Sequence, residues 1–162
     1  MKSITTPPRL IMKNSQRALA VNVTHLQRFA EAALHHAWRT MPQRRQKFKS
    51  VQEICVILVS NRRIAELHRR FMNIAGPTDV ITFQHGEIFI STETAVQHAK
   101  DFASTPADEV RLYIVHGILH LLGFDDTDEK TAKLMEKTQR RVVDAAAKLL
   151  ERKDSAAATR LK

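Results

Sequence analysis

Two histidines four positions apart, His116 and His120, stand in the run H-G-I-L-H-L-L-G-F-D-D that ends at Asp126. On a helix, residues i and i+4 lie one turn apart on the same face, so both imidazoles can reach one small object. Asp126 follows ten positions after His116, and between them Gly123 is the residue type that ends a helix in a left-handed turn. Two imidazoles and a carboxylate make a three-ligand set that suits one Zn2+ per chain and leaves a fourth position for water. Other divalent cations, ferrous iron among them, accept the same set. Zinc lowers the pKa of a bound water from roughly 16 to roughly 7, which is the basis of hydrolytic chemistry.

Each of these residues also has a plainer reading. A histidine on a buried helix is commonly a hydrogen-bonded core residue, although two in one apolar helix cost free energy unless each ring nitrogen finds a partner. Asp126 could instead cap the following helix, with Glu129 completing a capping box, whereas capping by Thr127 would free its carboxylate. The ligand and glycine spacing is that of the zincin-like protease pattern H-E-x-x-H-x-x-G-x-x-H, with aspartate in the third ligand position. Gly117 occupies the place of the catalytic glutamate, so peptide hydrolysis is disfavoured. No catalytic group separable from a metal-bound water is evident. A glycine inside a helix costs about 1 kcal/mol relative to alanine. Room for a bulky substrate, or close packing against a sheet, would account for it.

The elements that must position this stretch follow from periodicity and caps. Thr105 as N-cap, Pro106 at the first helical position and Asp108 three after the cap start a helix that is apolar on almost every side from Val110 to Leu122. Leu10 to Met12 reads as a short strand, and Thr24 with Gln27 as the start of an amphipathic helix that stops before Pro42. Arg39, Arg44, Arg45, Lys47 and Lys49 mark a solvated loop. Glu53 to Ser60 is a strand, and Asn61 caps a helix with Ile64, Leu67 and Phe71 as its buried stripe. Val80 to Phe83 and Glu87 to Ser91 form a hairpin, and Thr92 to Asp101 a short helix. A last helix from about Asp128 to Arg152 turns Leu134, Val142, Ala145 and Leu149 inward. The expected architecture is α+β: a small mixed four-stranded sheet packed with about five helices. Residues 1–153 are expected to form one domain that begins with a flexible N-terminal arm at 1–8, and 154–162 a flexible basic tail.

Twenty-six lysines and arginines against 17 acidic residues give a net charge of +9, which favours a polyanionic partner such as RNA. Arg62, Arg63, Arg69 and Arg70, on the outer side of the second helix, are candidates to grip its phosphates, as well as being an ordinary charged surface. The single cysteine, Cys55, lies in an apolar strand and points to a reducing, cytoplasmic setting. No membrane association or small organic cofactor is expected.

The stretch His116 to Asp126 resembles the signature H-G-x-L-H-L-x-G-Y-D-H of the YbeY family of single-strand endoribonucleases. Thr78 to Phe83 and Gly86 to Ser91 resemble that family's T-D-V-L-S-F and G-D-I-x-I-S. The resemblance covers roughly residues 50 to 140. It implies zinc-dependent RNA cleavage in maturation of small-subunit ribosomal RNA and in ribosome quality control, with the ribosomal small subunit as partner. Two departures stand out: Asp126 replaces the family's third histidine, and Met72 replaces a functional arginine, for which Arg69 or Arg70 would have to substitute. These departures leave a second expectation open, a non-catalytic RNA-binding ribosome assembly factor with a structural metal site.

Overall fold

A computed structural model describes residues 6–160, so most of the expected N-terminal arm lies outside the described residues. A four-stranded sheet carries the chain in the order β1 (Arg9–Asn14), β2 (Glu53–Val59), β4 (Glu87–Ser91), β3 (Val80–Phe83). β1, β2 and β4 run parallel, and β3 pairs antiparallel with β4 at the edge, with Val80 opposite Ile90 and Phe83 opposite Glu87. Five α-helices surround it: α1 (Val23–Thr40), α2 (Asn61–Met72), α3 (Thr92–Asp101), α4 (Pro106–Leu121) and α5 (Glu129–Arg160). The α+β class and the mixed four-stranded sheet are as expected.

Side-chain alternation splits the sheet's two faces. Leu10, Met12, Ile54, Val56, Leu58, Ile88 and Ile90 point into the main core, shared with α1, α4 and α5. Ile57, Val59 and Ile81 point the other way, onto Ile64 and Leu67 of α2. This two-sided burial explains why β2 reads as an unbroken apolar run. The layers are therefore α2, the sheet, α1 with α4, and α5 outermost.

Several boundaries depart from the sequence reading for local reasons. Asn22, not Thr24, caps α1, its side chain accepting from the His25 amide at 3.0 Å. Ser60, not Asn61, caps α2, which frees Asn61 to accept from the hydroxyls of Ser91 and Thr94 and tie α2 to α3. The expected solvated loop is a 3-10 helix over Pro42–Phe48, anchored where the buried Phe48 ring tilts against Trp38 and Arg45 donates to the Trp38 carbonyl. Phe71 is not part of the buried stripe of α2; it is 56% exposed. α5 turns Met135, Thr138, Val142, Ala146 and Leu150 inward, while Leu134 is exposed. The helix runs on to Arg160 instead of ending near Arg152, with Asp154 accepting from Arg28 of α1 at 2.7 Å. Cys55 is half-buried, and desolvation by that burial raises its thiol pKa. Among the described residues no helix is long and apolar enough to cross a membrane.

Candidate metal centre

The helix that carries the histidines begins as its sequence predicts. The Thr105 hydroxyl accepts from the Asp108 amide at 3.1 Å, Pro106 takes the first helical position, and Asp108 and Glu109 face the positive end of the helix dipole. Val110, Ile114, Val115, Ile118 and Leu119 are fully buried. Glu109, Tyr113, His116 and His120, spaced four, three and four apart, form the one polar stripe along α4.

Gly117 sits on the side of α4 that meets the sheet. A Cβ there would lie 2.6 Å from Cγ2 and 2.9 Å from Cδ1 of Ile88 in β4, so close packing explains this glycine, and room for a substrate does not. Helix α4 stops at Gly123, whose φ of +76° is the left-handed conformation glycine adopts freely. Its amide donates to the His120 carbonyl at 2.9 Å, and the Phe124 amide to the Leu119 carbonyl at 3.0 Å, which turns the chain back over the last helical turn.

Three acidic residues after this turn divide the work. Asp125 shapes the loop, its carboxylate accepting from the Asp126 and Thr127 amides and the Thr127 hydroxyl, and the hydroxyl bond foremost holds its pKa below the usual value. Asp128 starts α5, accepting from the Thr131 amide at 2.9 Å. Neither Asp126 nor Thr127 is needed as a cap, and the Asp126 carboxylate turns to the histidines. Its Oδ2 lies 3.5 Å from His116 Nε2 and 3.8 Å from His120 Nε2, and the two Nε2 atoms are 2.9 Å apart.

The hydrogen bonds behind the rings say which nitrogens face inward. His120 Nδ1 lies 3.1 Å from the Phe124 carbonyl, which can only accept, so this nitrogen carries the proton. His116 Nδ1 likewise meets the Gln139 side-chain oxygen at 2.8 Å. Both Nε2 atoms of the neutral rings then present lone pairs to each other, an arrangement that is repulsive unless a cation or proton lies between them. Burial, then the neighbouring His116, pushes the His120 pKa down and favours the neutral, ligating form. In tetrahedral zinc sites with bonds of about 2.1 Å, ligand atoms stand about 3.4 Å apart. The three separations here bracket that value, so the donor set fits a metal ion, with all three ligand atoms within 4.8 Å of one another.

Two supporting groups had no signal in the sequence. Gln139 reaches His116 from α5, a contact that depends on the rotation of a helix 23 residues further on. Arg44, from the segment expected to be a solvated loop, donates to the carbonyls of Leu122 and Gly123 at 3.3 and 3.1 Å, its guanidinium 3.8 Å above the Phe124 ring. It thereby braces the turn that delivers Asp126. Along the α4 polar stripe, one turn before His116, opens a cavity of about 870 Å3 lined by Leu112, Tyr113, His98, Phe102, Asp79 and Arg140, among others. Burial, chiefly, raises the pKa of Tyr113 well above the usual phenol value, so its hydroxyl stays protonated.

Arg62, Arg63, Arg69 and Arg70 are exposed, but α2 covers the opposite face of the sheet from α4. The structure therefore brings His116, His120 and Asp126 together and leaves these arginines apart from them. Met72, also exposed, ends α2, and among the described residues no hydrogen bond or ion pair joins Arg69 or Arg70 to His116, His120 or Asp126.

The sequence matches the family described as endoribonuclease YbeY over residues 11–147, a span that holds all but the first two residues of the sheet, the histidine helix and most of α5. The chain belongs to the endoribonuclease YbeY family. Endoribonuclease YbeY of Protochlamydia amoebophila is 31% identical over 131 residues, covering 74% of this chain and 86% of the relative. That of Acholeplasma laidlawii is 36% identical over 110 residues, covering 61% of this chain and 80% of its own length. A Thermotoga maritima protein solved in solution superposes with a TM-score of 0.60 at 25% identity, covering 91% of this chain and 95% of the other. The likeness to that solved structure extends over the whole layered fold.

Proposed function

We propose that this chain is a zinc-dependent endoribonuclease that cuts single-stranded RNA, with small-subunit ribosomal RNA in the cytoplasm as its substrate during ribosome maturation and quality control. The observation that carries the reading is the convergence of two imidazole lone pairs and a carboxylate on one point, His116 Nε2 and His120 Nε2 2.9 Å apart with Asp126 Oδ2 beside them. Zinc held there supplies a Lewis acid for a phosphoryl oxygen and a water that ionises near neutral pH. The chain's own residues orient it: Gln139 and the Phe124 carbonyl fix the two imidazole tautomers, and Arg44 holds the turn that carries Asp126. The relatives' names, endoribonucleases in each case, and the net charge of +9 support RNA as the polymer bound. They do not favour the non-catalytic assembly-factor reading.

The test is metal content together with cleavage of a ribosomal RNA fragment that contains unpaired segments. The wild type carries about one zinc per chain and cuts; chelator-treated protein and His116→Ala do not, and added zinc restores only the former. Stoichiometric zinc without cleavage would return the assembly-factor reading, and protein that binds no metal would sink the site and the enzyme together.

A further inference from the structure

The far side of the sheet holds a groove that the metal centre does not use. It has a volume of about 310 Å3 and lies between α2 and the edge strand β3, lined by Arg63, Arg70, Phe71, Phe83, His85 and Glu87, among others. Phe71 is 56% exposed and sets its ring edge-on to Phe83 at 5.1 Å between centroids; Phe83 stacks with His85 at 5.7 Å. The Arg70 guanidinium lies 5.4 Å from the centre of the Phe71 ring.

We propose that this groove is a second RNA-binding site, which stacks an unpaired base on the exposed Phe71 ring while Arg70 holds a flanking phosphate. The inference rests on the reading of this chain as an RNA-binding enzyme and adds a site remote from the metal. Aromatic rings beside arginines are the combination that binds single strands, because every base has a π-face and every linkage a charge. A duplex keeps its bases inside the stack and offers these rings nothing.

The charge balance favours a polyanion. Glu66 is shared by Arg62 and Arg63, and Glu87 is held by His85, while Arg69 and Arg70 have no carboxylate partner among the described residues. The position suits a strand that already occupies the metal centre. β3 is the sheet edge, in contact with α4, and carries Phe83 on the side of α2.

Binding of a labelled, unpaired RNA of about 16 nucleotides, measured by fluorescence anisotropy beside a duplex of the same length, decides the matter. Phe71→Ala and Arg70→Ala are expected to weaken single-strand binding about 5- to 100-fold with duplex binding and zinc content unchanged. Phe71→Trp, which keeps a stacking surface, restores wild-type affinity. Wild-type affinity in both alanine variants overturns the proposal, as does an equal loss for duplex and single strand, or a failed rescue by tryptophan. Cleavage of the same RNA is read separately. Groove-dependent binding without cleavage overturns the endonuclease reading and upholds the groove; cleavage with groove-independent binding does the reverse.

Discussion

At the scale of single residues, the two histidines can serve as ligands only because other groups hold their outer nitrogens. Gln139 is the least replaceable of these, since the His116 ring would otherwise be free to turn or to change tautomer. Gln139→Leu is expected to keep the fold and to lower zinc affinity about 10- to 100-fold, measured by competition with a chromogenic chelator. Unchanged affinity would mean that packing alone orients the ring. As a ligand, Asp126 would bring one more negative charge than a histidine in that position, which would tighten the hold on a cation while weakening its pull on substrate oxygens. Asp126→His is therefore expected to retain zinc and to cut RNA at an equal or faster rate. Loss of metal in that variant would show that the turn after Gly123 cannot deliver an imidazole.

At the scale of elements, α4 is set by its contact with β4. The Ile88 side chain fills the space a Cβ on residue 117 would need. Gly117→Ala gains helix propensity of about 1 kcal/mol yet forces Ile88 aside in a packed core, where overpacking costs about 1–3 kcal/mol. Net destabilisation in urea unfolding is expected, largely relieved by adding Ile88→Ala. A stabilised single variant would show that the interface yields freely. The braced turn makes a second prediction: Arg44→Ala loses two carbonyl hydrogen bonds and a guanidinium over Phe124. Weaker zinc binding with little change in thermal stability should follow, because the segment keeps its own anchor at Phe48.

At the scale of the whole molecule, the net charge of +9 has effects that are readable in salt and pH. RNA affinity should fall steeply with salt, the slope shrinking by about one for each α2 arginine that touches a phosphate and is replaced by alanine. A slope unchanged by removal of all four would exclude α2 from the interface. His36, on α1, is affected by desolvation first and then by Arg141 and Arg39, all of which lower its pKa below the unfolded value of about 6.5. Its folded state binds protons less readily than the unfolded chain, so stability is intact above about pH 6.5 and declines as pH falls through and below it. His36→Gln should flatten that decline between pH 7.5 and 5.5 in urea midpoints; an identical decline would assign it to other groups.

What could be read along the chain was whatever local chemistry decides: the cap at Thr105, the i, i+4 histidines, the glycine stop at 123, the hairpin and the two-sided apolar strand. Each rests on contacts within a few residues, or on a periodicity that no distant partner alters. The sequence also held His116, His120 and Asp126, which the structure brings together as a possible metal set, although it left Asp126 divided between ligand and cap. Only the tertiary structure relieved Asp126 of the cap, because Asp128 takes it and the turn sets the Asp126 carboxylate beside the histidines. It also placed Gln139 behind His116, Arg44 behind the turn and the α2 arginines across the sheet. Those outcomes depend on the rotation of α5, on Phe48 anchoring a basic segment, and on which sheet face each helix covers. They are set by the burial of apolar surface between distant segments, which spacing along one chain does not encode.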